Sequence, residues 1–188
     1  MSRPQMFLIA GVNGSGKSSF TKNITRKHPI LKIIDPDVIA KGMTGSFATV
    51  DAEALRAGKA ALNMVQQCIH SNQSFIVEST ISGRVYLKYL ELARKAGFKT
   101  ILVYIALESA ELSSQRVASR VSRGGHNIPL DDIKRRYPKS FKNLKAHLKL
   151  CDLGYIYDNS KHYKLIASYR NGTLHRQNEL PDFITPFI

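Results

Sequence analysis

The chain has 188 residues, 43% of them hydrophobic, and a formal net charge of +14 from 28 Lys and Arg against 14 Asp and Glu. That length suits one globular domain burying roughly 70% of its extended-chain surface, and the composition excludes disordered and fibrous classes. There is no run of about 18 apolar residues, so no membrane-spanning helix is expected.

The N-terminus has no secretory h-region, and Cys68 and Cys151 form neither a metal-ligand spacing nor a disulfide framework. Both cysteines read as core residues, and a reducing cytoplasm is the expected compartment. The charge excess points to anionic partners: nucleotides, nucleic acid or an acidic protein. Between Arg84 and Lys149, fifteen cations stand against five acids, so about +10 of the excess lies in that stretch.

No repeat or low-complexity linker divides the chain, and residues 1–188 read as one domain. Met6–Ala10 is an apolar run ended by glycine, as in a buried parallel strand. A helix should begin at Lys17 and stop before His28-Pro29. A second strand is expected at Leu31–Ile34, closed by Asp35-Pro36-Asp37, then a helix over Asp51–Ile69 with apolar residues near helical spacing.

Phe75–Val77 is the third strand, running out at Glu78-Ser79-Thr80. A helix over Val85–Ala96 ends at Gly97. Thr100–Ala106 is the fourth strand and Ala110–Ser122 the next helix. A long helix from about Leu130 to Leu150, with a bend allowed at Pro138, precedes a fifth strand at Leu153–Tyr157. Tyr163–Arg170 and Thr173–Arg176 flank Asn171-Gly172, a strong hairpin signal. The alternation predicts an α/β fold: a parallel sheet of about five strands flanked by helices, with a C-terminal β-hairpin, of the P-loop kinase kind.

Gly11-Val12-Asn13-Gly14-Ser15-Gly16-Lys17-Ser18 matches the Walker A pattern, with a strand before it and a helix after it. Its glycines let successive N–H groups turn inward on an anion, and the helix that follows adds unpaired donors and a positive dipole end. Nucleotide contacts are therefore expected from Gly11, Asn13, Gly14, Ser15, Gly16, Lys17, Ser18 and Ser19, with Lys17 on the β- and γ-phosphates and Ser18 on Mg²⁺. The nucleotide is ATP or GTP.

Acids at the ends of neighbouring strands narrow the chemistry, because ligands of parallel sheets sit beyond the carboxyl ends of strands. Asp37, released from strand geometry by Pro36, is the candidate general base, whereas Asp35 suits a capping role. Glu78, leaving a buried strand, is a candidate for the metal and the acceptor hydroxyl. Thr80 and Arg84 complete a candidate acceptor pocket.

Arg116, Arg120 and Arg123 are spaced four and three and share a helix face, where guanidinium groups can support charge on a transferring phosphoryl group. Gly124-Gly125 follows them and suits a lid joint. His126 is the one histidine near this chemistry. Asn159 or Ser160, after the fifth strand, is a candidate adenine contact. Arg135, Lys139, Lys142 and Lys149 fall on the remaining faces of a helix whose apolar stripe is Ile133, Tyr137, Phe141, Leu144 and Leu148.

The Walker A segment, Ile34-Asp35-Pro36-Asp37, Glu78-Ser79-Thr80 and Arg116 through Arg123-Gly124-Gly125-His126 together resemble the zeta-toxin family of P-loop kinases. Arg135-Arg136-Tyr137-Pro138 and Tyr157-Asp158-Asn159-Ser160 resemble its compact, single-domain branch, and the likeness covers roughly residues 5 to 160. The resemblance implies an ATP- and Mg²⁺-dependent kinase acting on a hydroxyl of a nucleotide-sugar such as UDP-N-acetylglucosamine. It also implies Asp37 as base, Glu78 and Thr80 on the acceptor, Arg116 and Arg123 on phosphate, and an antitoxin that blocks the nucleotide site.

The chain is shorter than the best-known toxins and carries no fused acidic antitoxin domain, so another small hydroxyl acceptor stays open. Two rival readings also stand: a polynucleotide-directed kinase, favoured by the charge, and a regulatory NTPase switch.

Overall fold

The computed structural model describes residues 3–27, 31–42, 50–125 and 127–188. Its elements are β1 (Gln5–Gly11), α1 (Lys17–Lys27), β2 (Lys32–Ile34), α2 (Pro36–Gly42), α3 (Val50–His70), β3 (Phe75–Ser79) and α4 (Val85–Lys95). They continue with β4 (Lys99–Ala106), α5 (Ala110–Val121), α6 (Leu130–Leu148), β5 (Leu153–Asp158), β6 (Lys164–Arg170), β7 (Thr173–Arg176) and a terminal 3-10 turn at Thr185–Phe187.

One seven-stranded sheet has the order β2-β3-β1-β4-β5-β6-β7. The first five strands are parallel; β6 and β7 are antiparallel additions. The C-terminal hairpin thus extends the sheet. Its turn residues Asn171 and Gly172 both have positive φ, 52° and 81°, the conformation that matches the twist of the flanking strands.

The apolar runs become central strands because both sheet faces are covered. On one face Leu8, Phe75, Val77, Leu102 and Tyr104 pack with Val65 of α3, Leu90 of α4 and Phe141 and Leu144 of α6. On the other, Ile9, Ile76, Val103 and Ile105 meet Phe20 and Ile24 of α1. β1 lies between β3 and β4, so the connections run to opposite sides of it. The crevice at such a switch point is where parallel sheets bind ligands.

Two local features differ from expectation. The segment after β2 is helical: Asp35 Oδ1 accepts the Asp37 N–H at 2.9 Å, and Pro36 occupies the first turn, where its missing N–H costs nothing. A seven-residue helix is too short to show an apolar periodicity. The second is that α6 runs uninterrupted through Pro138.

α6 also carries a polar spine beneath its apolar stripe. The buried Ser140 hydroxyl donates to the Thr80 carbonyl at 2.6 Å and lies 3.0 Å from the Tyr104 hydroxyl. Asn143 Nδ2 donates to the Ile81 carbonyl at 2.8 Å.

One turn further along, His147 is fully buried. Its Nδ1 is 2.8 Å from the Asn143 carbonyl, while Nε2 has no protein partner. Burial, aided by the Arg84 charge, holds its pKa below 6.5. A histidine with a lowered folded pKa binds its proton more readily unfolded, so stability is complete above about pH 6.5 and falls as pH drops through that value. The thermal midpoint should therefore decline between pH 7.5 and 5.5, and His147→Gln should flatten that decline in calorimetric scans.

Candidate active site

The phosphate loop leaves β1 at Gly11 and enters α1 at Lys17. Glycine is required at three points. A Cβ on Gly11 (φ +142°) would lie 2.2 Å from the Ile105 carbonyl oxygen of β4, and one on Gly14 (φ +69°) 2.9 Å from the Ser113 carbonyl oxygen. One on Gly16 (φ +96°) would lie 2.4 Å from the Tyr163 hydroxyl.

Side-chain donors hold the loop through its carbonyls. Lys17 Nζ donates to the Gly11 and Val12 carbonyls, both at 3.0 Å. Ser113 Oγ of α5 donates to the Asn13 carbonyl at 2.6 Å, Asn159 Nδ2 to that of Ser15 at 2.8 Å, and Tyr163 Oη to that of Gly16 at 2.7 Å. The Ser15 N–H donates to the Val12 carbonyl at 3.3 Å; with the loop's carbonyls engaged by their neighbours, its other N–H groups are the ones turned toward an anion.

A cleft of about 620 Å³ opens beside the loop. Lys17, Ser18, Asp35, Asp37, Glu78, Thr80, Arg116 and Arg120, all picked out in the sequence, line it. Ser18 Oγ donates to Glu78 Oε2 at 2.9 Å. Glu78 is buried, and burial raises its pKa, with the Asp35 charge adding to the rise and Lys17 and the Ser18 hydroxyl opposing it. Asp35 is likewise raised by burial and by Asp37. Burial pushes the Lys17 ammonium below the usual lysine value, against the pull of Glu78, Asp37 and Asp35.

Both strand-end aspartates line the cleft; Asp35 also caps α2 through its Oδ1, and Asp37 is exposed on the first turn of that helix. The oxygen-only donor set of Ser18 and Glu78 suits Mg²⁺, which takes few protein ligands beside substrate phosphates. Among the described residues no cluster of three or more His, Cys, Asp or Glu forms a metal cage of its own.

Arg116 donates from Nη2 to the Ser160 carbonyl at 2.8 Å. With Arg120, Arg123, Gly124 and Gly125 it lines a second hollow of about 410 Å³ adjoining the first. The three arginines line this one hollow, although Arg123 lies past the end of α5 and off its face. Gly124 (φ +79°) and Gly125 terminate that helix: their N–H groups donate to the Val121 and Arg120 carbonyls, each at 2.9 Å. Helix termination accounts for the pair.

The other sequence candidates are placed differently. Asn159 is buried beneath the loop and lines neither hollow, and its amide serves the Ser15 carbonyl. The Ser160 hydroxyl donates to Asp158 Oδ1 at 2.6 Å and accepts the Glu108 N–H at 3.0 Å. Arg84 occupies the N-cap position of α4, with no capping hydrogen bond from its side chain, outside the cleft lining. His126 lies outside the described residues.

Sequence reasoning missed the Ser113 and Tyr163 struts and the wall formed by Leu55, Gly58, Lys59 and Leu62 of α3, Tyr86 of α4 and Arg136 of α6. The i, i+3, i+4, i+7 spacing of the four α3 residues was the available signal. It reads equally as a core stripe.

A polar loop with an inward anion nest, a metal-suited hydroxyl–carboxylate pair and paired arginines, set at the switch point of a parallel sheet, define a protein of the P-loop kinase fold. Residues 6–139 match the model of the family described as AAA domain, and the chain belongs to that family. An uncharacterized protein of Haemophilus influenzae is 33% identical over 130 residues, 68% of this chain and 88% of that protein.

Among solved structures, the AvrRxo1-ORF1:-ORF2 complex with ATP is similar at TM-score 0.73 and 18% identity. The match covers 94% of this chain but only 61% of that one. The PezAT chromosomal toxin-antitoxin system of Streptococcus pneumoniae aligns at TM-score 0.67 and 18% identity, over 100% of this chain and 79% of that one. At those identities the likeness concerns the fold.

Two outcomes follow from the geometry. Tyr163→Phe removes one strut, and a typical net hydrogen-bond contribution of about 1 kcal/mol predicts a roughly fivefold loss of ATP affinity by calorimetry with the fold retained. For Glu78, a folded pKa above 4.5 means that stability is withdrawn as pH rises past 4.5. Glu78→Gln should thus raise the thermal midpoint of the nucleotide- and metal-free protein at pH 7, with the gain vanishing toward pH 4.

Proposed function

We propose that this protein is an ATP- and Mg²⁺-dependent phosphotransferase of the zeta-toxin type, moving the γ-phosphoryl group of ATP onto a hydroxyl of a nucleotide-sugar acceptor such as UDP-N-acetylglucosamine. The observation that carries the reading is that an exposed carboxylate, Asp37, shares one cleft with Lys17, Ser18, Glu78, Arg116 and Arg120. A nucleotide-sensing switch needs no base facing an open pocket; a kinase does.

In this mechanism the phosphate loop and Lys17 hold the β- and γ-phosphates. Asp37 accepts the proton of the acceptor hydroxyl as its oxygen bonds to the γ-phosphorus, and the bond to the β–γ bridging oxygen breaks to release ADP. Arg116 and Arg120 offset charge on the equatorial oxygens. Mg²⁺, held by Ser18 and Glu78, would supply further neutralisation of the phosphates. Thr80 lies on the acceptor side, where its hydroxyl is within 3.0 Å of Ser82 Oγ.

The neighbours named as an ORF1:-ORF2 complex and as a toxin-antitoxin system support a protein partner, and the net charge of +14 favours an acidic one.

Phosphorus NMR with ATP and Mg²⁺ tests the reading. A new phosphomonoester signal should appear only when the sugar nucleotide is added, and Asp37→Asn should lower its rate at least about 10²-fold while ATP still binds. Release of inorganic phosphate alone, at a rate indifferent to the sugar nucleotide and to Asp37, would overturn the reading.

A further inference from the structure

The outer face of α6 is cationic along its whole length after the first turn. Residues 133–149 hold seven Lys and Arg and no acid, half of the net charge of +14. Arg136 turns to the cleft. The other six, Lys134, Arg135, Lys139, Lys142, Lys145 and Lys149, are all exposed. At about 100° per residue they fall within an arc of about 140°, away from the buried Ile133, Leu144 and Leu148. None of the six lines the catalytic cleft or the arginine hollow beside it.

This arrangement costs the helix something. Opposite charges three or four residues apart stabilise an exposed helix, and like charges at that spacing do the reverse. Here 135–139, 139–142, 142–145 and 145–149 each set two cations side by side. The acids of α6, Asp131 and Asp132, stand in its first turn, and Asp132 is taken by Arg135 and Arg136. Among the described residues, none of the five lysines has a carboxylate within ion-pair distance. The helix dipole favours cations in the last turn, which covers Lys145 and Lys149 and leaves Lys134, Lys139 and Lys142 unexplained.

The neighbouring helix adds to the field. Arg84 and Arg94, at the two ends of α4, act on His147 and Cys151 at the far end of α6. α4 itself holds Lys88, Arg94 and Lys95 against one acid, Glu91. An extended polyanion lying along α6 would relieve this self-repulsion.

The residue types choose among polyanions. Tyr137 and Phe141, the aromatic residues of α6, pack inward on one another and on Tyr104 and Phe183, so they give the bases of a single strand no platform. Leu130, the exposed large apolar residue of the helix, stands at its first position, off the cationic arc, where it cannot anchor that arc in a lipid surface. Protein interfaces are depleted in lysine. Ammonium groups on flexible stems suit duplex phosphates, which recur at regular intervals and carry no sequence information. From Lys134 to Lys149 the stripe runs about 22 Å, roughly two thirds of a duplex turn.

We propose that the exposed face of α6 is a sequence-independent binding surface for double-stranded nucleic acid, separate from the catalytic cleft. A duplex held there is not the phosphoryl acceptor, so the inference stands apart from the identity of that acceptor.

The test is fluorescence anisotropy of a labelled DNA duplex of about 20 base pairs, titrated with the full-length protein at about 50 and about 200 mM salt. Four phosphate contacts predict an affinity falling about 10²-fold between the two conditions. Lys139→Gln, Lys142→Gln and Lys145→Gln combined should weaken binding at the lower salt at least about tenfold. The slope of log affinity against log salt should become shallower by about one per lysine, and Lys142→Gln alone should show one such step.

Lys164→Gln, Arg170→Gln and Arg176→Gln combined remove the same charge from exposed positions of the C-terminal hairpin. That control should change affinity less than about twofold, with melting curves showing every variant folded, and a saturating non-hydrolysable ATP analogue with Mg²⁺ should not displace the duplex. Four results would each overturn the proposal: no binding at the lower salt, equal weakening by the two triple variants, displacement by the ATP analogue, which would put the duplex in the cleft, or equal competition by polyglutamate at matched charge, which would point to an acidic protein.

Discussion

The approach of β1 to β4 at Gly11 governs the rest of the cleft. The chain turns out of the sheet where any side chain would strike the Ile105 carbonyl, and the turn that follows has its carbonyls held by donors from α5, from the segment after β5 and from its own lysine. A peptide group whose carbonyl is pinned on one side presents its N–H to the other. An anion nest follows from that orientation, and much of its rigidity is borrowed from residues 100 to 147 positions away in sequence.

The same cleft concentrates cost. Glu78 and Asp35 are carboxyl groups whose burial raises their pKa values, and Lys17 is an ammonium whose burial lowers its own. Each group would be more comfortable in water; together they partly compensate one another. Such a cluster is poor stability engineering and suits a binding site, where a bound charged ligand would replace the missing solvation. Asp37, which acts on both Asp35 and Lys17, is the carboxylate of the group left exposed.

The wall of the cleft after β3 depends on α6. Ile81, a β-branched residue buried with φ at +46°, occupies backbone space that such side chains rarely take. Its N–H donates to Ser79 Oγ at 3.0 Å, its carbonyl accepts from Asn143 Nδ2, and the preceding Thr80 carbonyl accepts from the Ser140 hydroxyl. Strain of this kind persists where surrounding bonds over-determine the chain, and here it turns the strand leaving Glu78 so that Thr80 lines the cleft. Ser140 and Asn143 were invisible as functional residues because a polar residue on a mostly basic helix reads as surface until its partner is known.

What the sequence determined by itself was the local grammar: the phosphate loop between strand and helix, the buried parallel strands, the α5 arginine face and the Asn171-Gly172 turn. Each depends on residues close together in the chain, whose spacing or backbone freedom is readable without a partner. α2 escaped because seven residues hold too little periodicity, although its Asp-Pro start was in plain view. The tertiary structure decided the rest: that Asn159 and Tyr163 brace the loop from behind, and that residues of α3, α4 and α6 wall the cleft. Those roles depend on which atoms of distant segments come within about 3 Å, a distance that packing sets and that spacing along a chain does not encode.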